Sequence, residues 1–307
     1  MSEHRLIEYI RALASGSAYP WLKVGIGDDA ALLDLPGGGQ AVLTTDMTIE
    51  GTHFEAGTAA ALVGRKAVAR AVSDLAAVAA RPLCSLAAVD FGSWPDARPC
   101  EELVRAIHDA AAELSAPLIG GDVASGTGPL CVTVTAMGTP GPAGFVSRSG
   151  ARAGDAVCVT GRLGGSGRGR HLTFRPRIEE ALALAERFEL HAMIDVSDGL
   201  STDALHVAEA SGVGISLLEE DVPLAEDAVA LGEQTGREPL WHALNDGEDY
   251  ELLFCLPEDQ AGELAREGVQ GTPVSIIGRV TAGRASFLVN GAGRRRPLKA
   301  EGWEHLS

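Results

Sequence analysis

Residues 59–80, AAALVGRKAVARAVSDLAAVAA, carry apolar side chains at the spacing of a helix that ends before Arg81-Pro82. The apolar run AVLTTDM at 41–47 precedes this helix and is typical of a strand. The elements predicted after the helix are, in order, a strand at 83–91, a helix at 99–115, and strands at 117–119 and 130–138. The first half of the chain therefore has the order β-α-β-α-β-β, which indicates mixed α/β structure.

Residues 139–155 are rich in Gly, Pro and Ser, and we place a domain boundary here, giving domains of residues 1–140 and 141–307. The second half again alternates strand and helix patterns. Its predicted strands are near 156–160, 193–196, 213–218, 249–256, 274–280 and 286–290, and its predicted helices are near 177–190, 200–211, 224–235 and 258–267. The fold class predicted for both halves is α/β (α+β) with a mixed sheet.

The composition argues against nucleic acid as a partner. The chain has 307 residues and a formal net charge of −17, whereas nucleic-acid binding depends on many Lys and Arg contacts to phosphate. A small phosphorylated ligand is also anionic, so an acidic site would hold it only through bridging cations. The acidity thus favours divalent metal, with a solvated acidic surface as the alternative.

The cysteines and the apolar runs indicate a cytoplasmic protein. None of the five cysteines forms a CxxC pair, and we expect buried free thiols in a reducing compartment. The start, MSEHRLIEYI, is typical of an amphipathic helix rather than a signal peptide. No apolar run approaches the roughly 20 residues that span a bilayer, so no membrane partner is expected.

Short acidic motifs recur where strands and helices are predicted to end. They are GIGDDA at 25–30, TTD at 44–46, Asp74, GGD at 120–122, DVSDGL at 195–200 and NDGEDYE at 245–251. Mg²⁺ prefers oxygen ligands, and such ends form the ligand crevice of open α/β sheets. Each motif alone has a structural alternative: an Asx-turn or helix N-cap for the aspartates, Asp198 in particular, and a solvated turn for residues 245–251.

Three positions give more detail. Strand alternation places Thr44 and Asp46 on one face and Thr45 on the other. Asp74 lies on an apolar stripe of its helix, so it must bind metal or pair with Arg70 four residues earlier. His53 follows in a loop, where it is either solvated or a phosphate contact.

The chain has no P-loop. Its only lysines are Lys23, Lys66 and Lys299, and none follows a GxxxxG sequence. The glycine-rich run GRLGGSGRGR at 161–170 does not have the GxGxxG register. We interpret it as a flexible surface loop, with a phosphate contact as the alternative.

The motifs together resemble thiamine-monophosphate kinase. GIGDDAALL, LTTDMTIEGTHF, VSDLAAVAARP, LIGGDVASG, SRSGARAGD, IDVSDGLSTD and NDGEDYELLF occur in that family's order, over about residues 20–305. The resemblance implies a two-domain aminoimidazole ribonucleotide synthetase-like fold whose N-terminal sheet pairs across a homodimer, with a C-terminal α/β domain. It also implies transfer of the γ-phosphoryl group of ATP to thiamine monophosphate, with several Mg²⁺ ions as cofactors.

The resemblance also implies residue roles. The residues that match the family's Mg²⁺ ligands are Asp29, Thr44, Thr45, Asp46, Asp74, Asp122, Asp195 and Asp198. Those that match its ATP contacts are Gly121, Asp122, Arg148 and Ser197, and those that match its substrate contacts are His53, Glu248 and Trp303. Asp46, Asp122 and Arg148 are expected to be catalytic, whereas no general base is needed because the acceptor phosphate is already ionised.

The sequence departs from the family between Thr160 and Pro176, where the segment is shortened. This keeps open a noncatalytic nucleotide-binding homologue, or another ATP-dependent member of the superfamily. Among those members, selenophosphate synthetase would need a reactive cysteine before Gly25, and there is none. Aminoimidazole ribonucleotide synthetase would lack the GEDYEL pattern at 247–252.

Overall fold

The computed structural model describes residues 3–14, 19–94 and 97–302. Its helices are α1 (Glu3–Ala14), α2 (Ala60–Ala77), α3 (Ala97–Glu113), α4 (Ile178–Arg187), α5 (Leu200–Ser211), α6 (Glu226–Thr235), α7 (Pro239–Asn245) and α8 (Glu258–Glu267). Its strands up to residue 140 are β1 (Leu22–Val24), β2 (Ala31–Asp34), β3 (Gln40–Ile49), β4 (Ala80–Asp90), β5 (Leu118–Ala124) and β6 (Cys131–Pro140). The later strands are β7 (Ala156–Thr160), β8 (Ala192–Asp195), β9 (Gly214–Leu218), β10 (Leu252–Leu256), β11 (Val274–Thr281), β12 (Phe287–Val289) and β13 (Arg295–Pro297).

The strands form two sheets, which confirms the predicted α/β organisation in two halves. The first sheet has six strands in the order β1-β2-β3-β6-β4-β5, and only β4 and β5 run parallel. The second has seven strands in the order β13-β12-β9-β11-β7-β10-β8, with β9 and β12 as its parallel pair. The predicted order β-α-β-α-β-β corresponds to β3-α2-β4-α3-β5-β6, whereas β1, β2, α7 and β13 were not predicted.

Helix α2 lies at the centre of the molecule. It is buried along most of its length and packs against β3, β6 and α3 of the first half and against α4 and β8 of the second. Small residues such as Ala67, Ala71 and Ala76 allow these close approaches on both sides. The polar residues of α2 therefore lie where the two halves meet, and this helix positions the candidate site.

The second sheet is covered on both faces. One face packs against α5 through Val159, Ile194 and Leu253, and the other packs against α4 and α8 through Met193 and Phe254. Strands β7, β8 and β10 are accordingly buried at every position, as expected for strands that are covered on both faces. This rigid layer fixes the end of β8, where Asp195 lies.

The cysteines are all free, as predicted. Only Cys158 and Cys255 are buried, however, because the other three lie at partly exposed strand or helix positions. Burial raises the pKa of the Cys158 thiol to about 12. Within the described residues, no helix is long and apolar enough to cross a membrane.

Candidate active site

A polar stripe along α2 organises the N-terminal part of the site. Lys66, Arg70 and Asp74 follow one another at four-residue spacing, so they point to one side of the helix. Arg70 binds Asp46 through two contacts, Nε–Oδ2 at 2.8 Å and Nη2–Oδ1 at 3.0 Å. Asp74 accepts a 2.5 Å hydrogen bond from the Thr44 hydroxyl. Arg70 of α2 thus forms its ion pair with Asp46 of β3. The predicted alternative of an Arg70–Asp74 pair is wrong.

The predicted alternation along β3 is confirmed. Thr44 and Asp46 face α2, whereas the Thr45 hydroxyl lies 3.0 Å from that of Thr135 on the other face of the sheet. Thr45 lies next to Asp46 at the edge of the site, but its hydroxyl points away from it.

The loop between β1 and β2 presents Asp29 to the same region. Arg148 holds it through a 2.5 Å contact from Nη2 to Oδ1. Asp28 supports this arrangement, because its carboxylate accepts the backbone N–H of Arg148 at 3.2 Å and that of Asp29 at 3.0 Å. The SRSG motif and the GDD motif, which are far apart in sequence, are therefore bound to each other.

The C-terminal half contributes the end of β8 and the start of α5. Asp195 accepts a hydrogen bond from Ser73 of α2. The N-cap of α5 is Gly199, at φ 106°, so the N-cap alternative for Asp198 is wrong. Instead, the backbone N–H of Asp198 donates to Asp203, which is buried within α5. Ligand atoms of Asp198, Asp203 and His206 lie within 4.8 Å of one another.

These carboxylates are close enough to raise one another's pKa values. Burial is the main cause and mutual repulsion adds to it: the pKa of Asp29 is raised to about 7, that of Asp195 to about 6, and those of Asp74 and Asp203 well above their usual range. We call this group the acidic cluster, and its members are Asp29, Asp46, Asp74, Asp195, Asp198 and Asp203.

The acidic cluster fits a divalent cation. Its donors are carboxylate oxygens, which Mg²⁺ prefers. Asp29 Oδ2 is buried and has no hydrogen-bond partner among the residues that the structure describes, and a buried polar atom of this kind is costly unless something binds it. Arg70 and Arg148 bring cationic groups to two of its members, Asp46 and Asp29.

Two cavities meet at the acidic cluster. The first is about 600 Å³ and is lined by Asp29, Arg148 and one face of α5. The second is about 610 Å³ and is lined by Asp46, Asp74 and the 245–250 segment. Ser197, Asp198 and Gly302 line both. The carboxylates therefore lie between two spaces that are each large enough for a small molecule.

The second cavity contains two of the predicted substrate contacts, His53 and Glu248. His53 is 7% exposed and its Nδ1 accepts the N–H of Ile49 at 3.0 Å, so the solvated alternative is wrong. Glu248 contacts Lys66 and His171. Tyr250 lines the same cavity. Trp303 lies outside the described residues, whereas an aromatic side chain that was not predicted, Trp241, lines this wall.

The 245–251 segment is not a solvated turn, which corrects that alternative. Asp249 and Glu251 are 2% and 4% exposed, and they pair with Arg170 at 2.8 Å and Arg177 at 2.6 Å. Each buried carboxylate thus has a cationic partner, and without that partner its burial would be unfavourable.

The predicted surface loop at 161–170 is likewise packed rather than free. Leu163, Gly164 and Ser166 are buried, and the Gly164 N–H donates to the Asp249 carboxylate at 2.9 Å. The shortened segment thus contributes Arg170 and His171 to the neighbourhood of the second cavity.

Asp122 is the predicted site residue that the structure separates from the others. It lies within β5 rather than after it, on the exposed edge strand of the first sheet. It pairs in register with Ala88, which alternates with the buried Val89, so Asp122 faces away from α2 and from the acidic cluster. Gly121 has a structural reason to be glycine, because a Cβ there would lie 1.8 Å from the Ala87 carbonyl oxygen.

Residues 27–139 match the family described as AIR synthase related protein, N-terminal domain, and residues 150–290 match the corresponding C-terminal domain. The thiamine-monophosphate kinase of Rhodopirellula baltica is 37% identical over 287 residues, which are 91% of this chain and 89% of that protein.

Solved structures agree with this similarity. One described as AaThiL complexed with AMPPCP and TMP is 30% identical, with a TM-score of 0.85, and the match covers 99% of this chain and 97% of that one. Thiamine monophosphate kinase from Aquifex aeolicus is 29% identical, with a TM-score of 0.79 and coverage of 96% and 99%.

Proposed function

This chain belongs to the thiamine-monophosphate kinase family of AIR synthase related proteins, and from that premise we propose that it transfers the γ-phosphoryl group of ATP to thiamine monophosphate. The products are thiamine diphosphate and ADP. The observation that carries the proposal is the acidic cluster between two cavities. Phosphoryl transfer needs two anionic reactants held in line, with their charge neutralised between them.

Mg²⁺ is the proposed cofactor, in several ions. The residues that would hold it are Asp29, Asp46, Asp74, Asp195 and Asp198, with oxygen atoms of Thr44 and Thr45 beside them. When bound there, the metal would neutralise phosphate charge and orient the two reactants. The chain itself keeps the carboxylates in place: Arg70 holds Asp46, Arg148 holds Asp29, and Ser73 holds Asp195.

The second cavity suits thiamine monophosphate. Tyr250 and Trp241 give it aromatic walls, and Glu248 gives it a carboxylate. An aromatic and anionic lining favours a cationic heterocycle such as the thiazolium ring. His53 lies on the same lining and is proposed to contact the substrate, as is Trp303, which was predicted from the resemblance.

The first cavity suits ATP. Its wall of Ile194, Leu205 and Ala208 is apolar, as a nucleoside requires, whereas Arg148 and Ser197 lie toward the acidic cluster. We assign Arg148 to charge neutralisation at the ATP phosphates. A related structure that is described as a complex with both AMPPCP and TMP supports separate sites for two ligands.

We also propose a homodimer, in which Gly121 and Asp122 serve the ATP and metal site of the partner subunit. The outer face of the first sheet leaves Met47 and Leu86 48% and 45% exposed, and β5 is an edge strand with an unpaired side. Such a face is typical of an interaction surface. The position of Asp122 on that face accounts for its distance from the acidic cluster of its own chain.

The dimer proposal predicts that Leu86→Glu yields a monomer, because a charge buried at the interface costs several kcal/mol, on the order of 2–4. Light scattering after size exclusion would measure the mass, and Leu218→Glu, at a similarly exposed position of the second sheet, is the matched control. A Leu86→Glu protein with the mass of wild type would contradict a dimer through this face.

A domain boundary after residue 140 and a cytoplasmic location complete the proposal. The first sheet ends at Pro140 and the second begins at Ala156, so the connecting residues belong to neither sheet.

The proposed cytoplasmic location is supported by the free state of all five cysteines, which is typical of a reducing compartment.

The activity is tested by incubating purified protein with ATP, Mg²⁺ and thiamine monophosphate. We expect ADP release that requires both Mg²⁺ and the monophosphate, with thiamine diphosphate identified by chromatography. Removal of divalent metal by EDTA should abolish turnover, and added Mg²⁺ should restore it. ATP binding without formation of thiamine diphosphate would instead favour a noncatalytic homologue or a different acceptor.

A further inference from the structure

Lys66 is a buried cation whose role is not explained by the proposed chemistry. Its side chain is fully buried on α2, and its Nζ lies 2.6 Å from Glu248 Oε1 and 2.6 Å from His171 Nδ1. Nζ also donates to the carbonyl oxygen of His53. One ammonium group therefore joins three segments that are far apart in sequence, two of which line the second cavity.

Glu248 needs such anchoring because its backbone is unfavourable. It has φ 54°, and Tyr250 has φ 52°, which is the left-handed region that side chains other than glycine rarely adopt. Backbone hydrogen bonds to Ser197 and Val196, at 2.7 and 2.8 Å, hold the turn to the end of β8. The side chain of Glu248 is then fixed by contacts to both of its oxygens.

His171 provides the second contact. Its Nδ1 lies 3.0 Å from Glu248 Oε2 and, as noted, 2.6 Å from Lys66 Nζ, so it either donates to the carboxylate or accepts from the ammonium. In both tautomers it contacts the Lys66–Glu248 ion pair from the 161–176 segment. Neighbouring contacts between Arg170 and Asp249 and between Phe174 and Tyr250, whose rings stack 3.9 Å apart, bind that segment to the same turn.

The charges of Lys66 and Glu248 balance each other. Burial would raise the pKa of Glu248, but contacts with His171 and Lys66 hold it at about 2, so the carboxylate is ionised near neutral pH. Burial lowers the pKa of Lys66 to about 8, against the opposing effect of Glu248. The side chain of Glu248 stays 26% exposed, toward the second cavity, and carboxylate oxygens have lone pairs left to accept a ligand hydrogen bond.

We propose that Lys66 and His171 are positioning residues for thiamine monophosphate, which act by holding the Glu248 carboxylate at the wall of the second cavity. This inference rests on the proposed function. Lys66 touches no open space itself, so its effect on the substrate passes through Glu248. The cation on α2 thereby connects the N-terminal domain to the substrate-facing turn of the C-terminal domain.

The test is steady-state kinetics of Lys66→Met with each substrate varied in turn. We expect the KM for thiamine monophosphate to rise on the order of 10-fold or more, as for removal of a residue that orients a ligand contact, whereas the KM for ATP changes less than about 2-fold. His171→Leu should shift the same constant in the same direction by a smaller factor. Lys23→Met, which removes an exposed lysine that pairs with Asp34 at 2.8 Å, is the matched control and should leave both constants unchanged.

A double-variant cycle separates positioning from general destabilisation. Glu248→Gln removes the group through which Lys66 acts, so adding Lys66→Met to it should change the KM for thiamine monophosphate less than about 2-fold. The double variant leaves no unpaired charge between these two residues and is expected to fold even if Lys66→Met does not. A full additional effect of Lys66→Met in the Glu248→Gln background would overturn the proposal, as would equal rises in both KM values.

The same experiment distinguishes failure of this inference from failure of the proposed function. If wild-type protein forms no thiamine diphosphate, the proposed function is overturned and this inference with it. If wild type is active and a folded Lys66→Met keeps its KM for thiamine monophosphate, only the positioning role is overturned.

Discussion

Asparagine in place of Asp74 should lower kcat for thiamine diphosphate formation by on the order of 10²–10³-fold, the loss typical of removing one electrostatic contact to a developing charge. Asp74 lies on α2 beside Asp46, and its carboxylate is the member of the acidic cluster held by the Thr44 hydroxyl. The amide keeps the shape and the hydrogen bond but removes the charge that would hold Mg²⁺. The assay is the same ADP-release measurement at saturating Mg²⁺.

The same substitution should stabilise the protein when divalent metal is removed. Burial, and then the charges of Asp195, Asp46 and Asp29, raise the pKa of Asp74 well above 3.8. Well below pH 3.8 this carboxyl is neutral in both folded and unfolded states. As the pH rises from there, the unfolded state ionises first, so wild type loses stability that Asp74→Asn keeps.

We therefore expect Asp74→Asn in EDTA to melt several degrees above wild type at pH 8, about 2–4 °C per kcal/mol of relieved repulsion. The difference in melting temperature should shrink as the pH falls toward 3.8. Asp109→Asn, at an exposed position of α3 beside His108, should change neither activity nor melting temperature. Near-normal kcat in a folded Asp74→Asn would remove this residue from the metal site. A lower melting temperature at pH 8 would contradict the electrostatic account of the acidic cluster.

The sequence was sufficient for the acidic residues because their motifs are local. GDD, TTD and DVSDGL each occupy a few consecutive positions, and short-range patterns correctly place GDD and DVSDGL at strand ends. The placement of TTD at a strand end is wrong, because β3 continues past Asp46 to Ile49. Asp203 was missed although it follows Asp198 by only five residues. Its burial within α5 comes from the packing of that helix against β8 and β9, and the sequence pattern alone does not show this.

The partners of those residues were harder to predict, because they come from other segments. The four-residue spacing on α2 suggested an ion pair between Arg70 and Asp74, whereas Arg70 binds Asp46 of β3 instead. His171 and Arg170 lie in a glycine-rich run whose composition suggested a free loop. Their contacts depend on the 245–251 turn folding back against them, a long-range effect that local propensity does not contain.

Asp122 illustrates a different limit. The glycines before it suggested a strand end that approaches a phosphate, whereas the strand continues through them to Ala124. Gly121 lies so close to β4 that no Cβ fits, and this packing requirement alone would favour glycine. Whether a residue of an edge strand serves its own chain or a partner subunit depends on assembly, which the Leu86→Glu experiment addresses.

Methionine in place of Arg177 should cause a large loss of stability. Its guanidinium contacts Glu251 through Nη2–Oε1 at 2.6 Å and Nε–Oε2 at 2.8 Å, and it reaches Glu180 at 3.0 Å. Glu251 and Glu180 are 4% and 9% exposed. Removing the Arg177 guanidinium leaves two buried carboxylates without their cationic partner, which lowers the free energy of unfolding by about 3–5 kcal/mol.

We expect the melting temperature of Arg177→Met to fall by about 10 °C, from about 2–4 °C per kcal/mol. The matched control is Arg187→Met, which removes an ion pair to Glu267 at 2.9 Å. Both of those side chains are about half exposed, so water replaces the lost partner and the cost should stay below about 1 kcal/mol. Equal losses in the two variants would mean that burial does not decide the strength of these pairs.

The double variant Arg177→Met/Glu251→Gln distinguishes the two possible sources of that loss. If the loss arises from the unpaired Glu251 charge, glutamine removes the charge while still accepting the hydrogen bond of the Thr160 hydroxyl, and much of the stability returns. If it arises from packing of the arginine side chain, the double variant is no more stable than Arg177→Met. Recovery is the expected result, because Glu251 directly precedes β10 and is only 4% exposed, so water cannot replace the lost cation. Arg177, which directly follows the shortened 161–176 segment, would then be needed for the stability of the 245–251 turn.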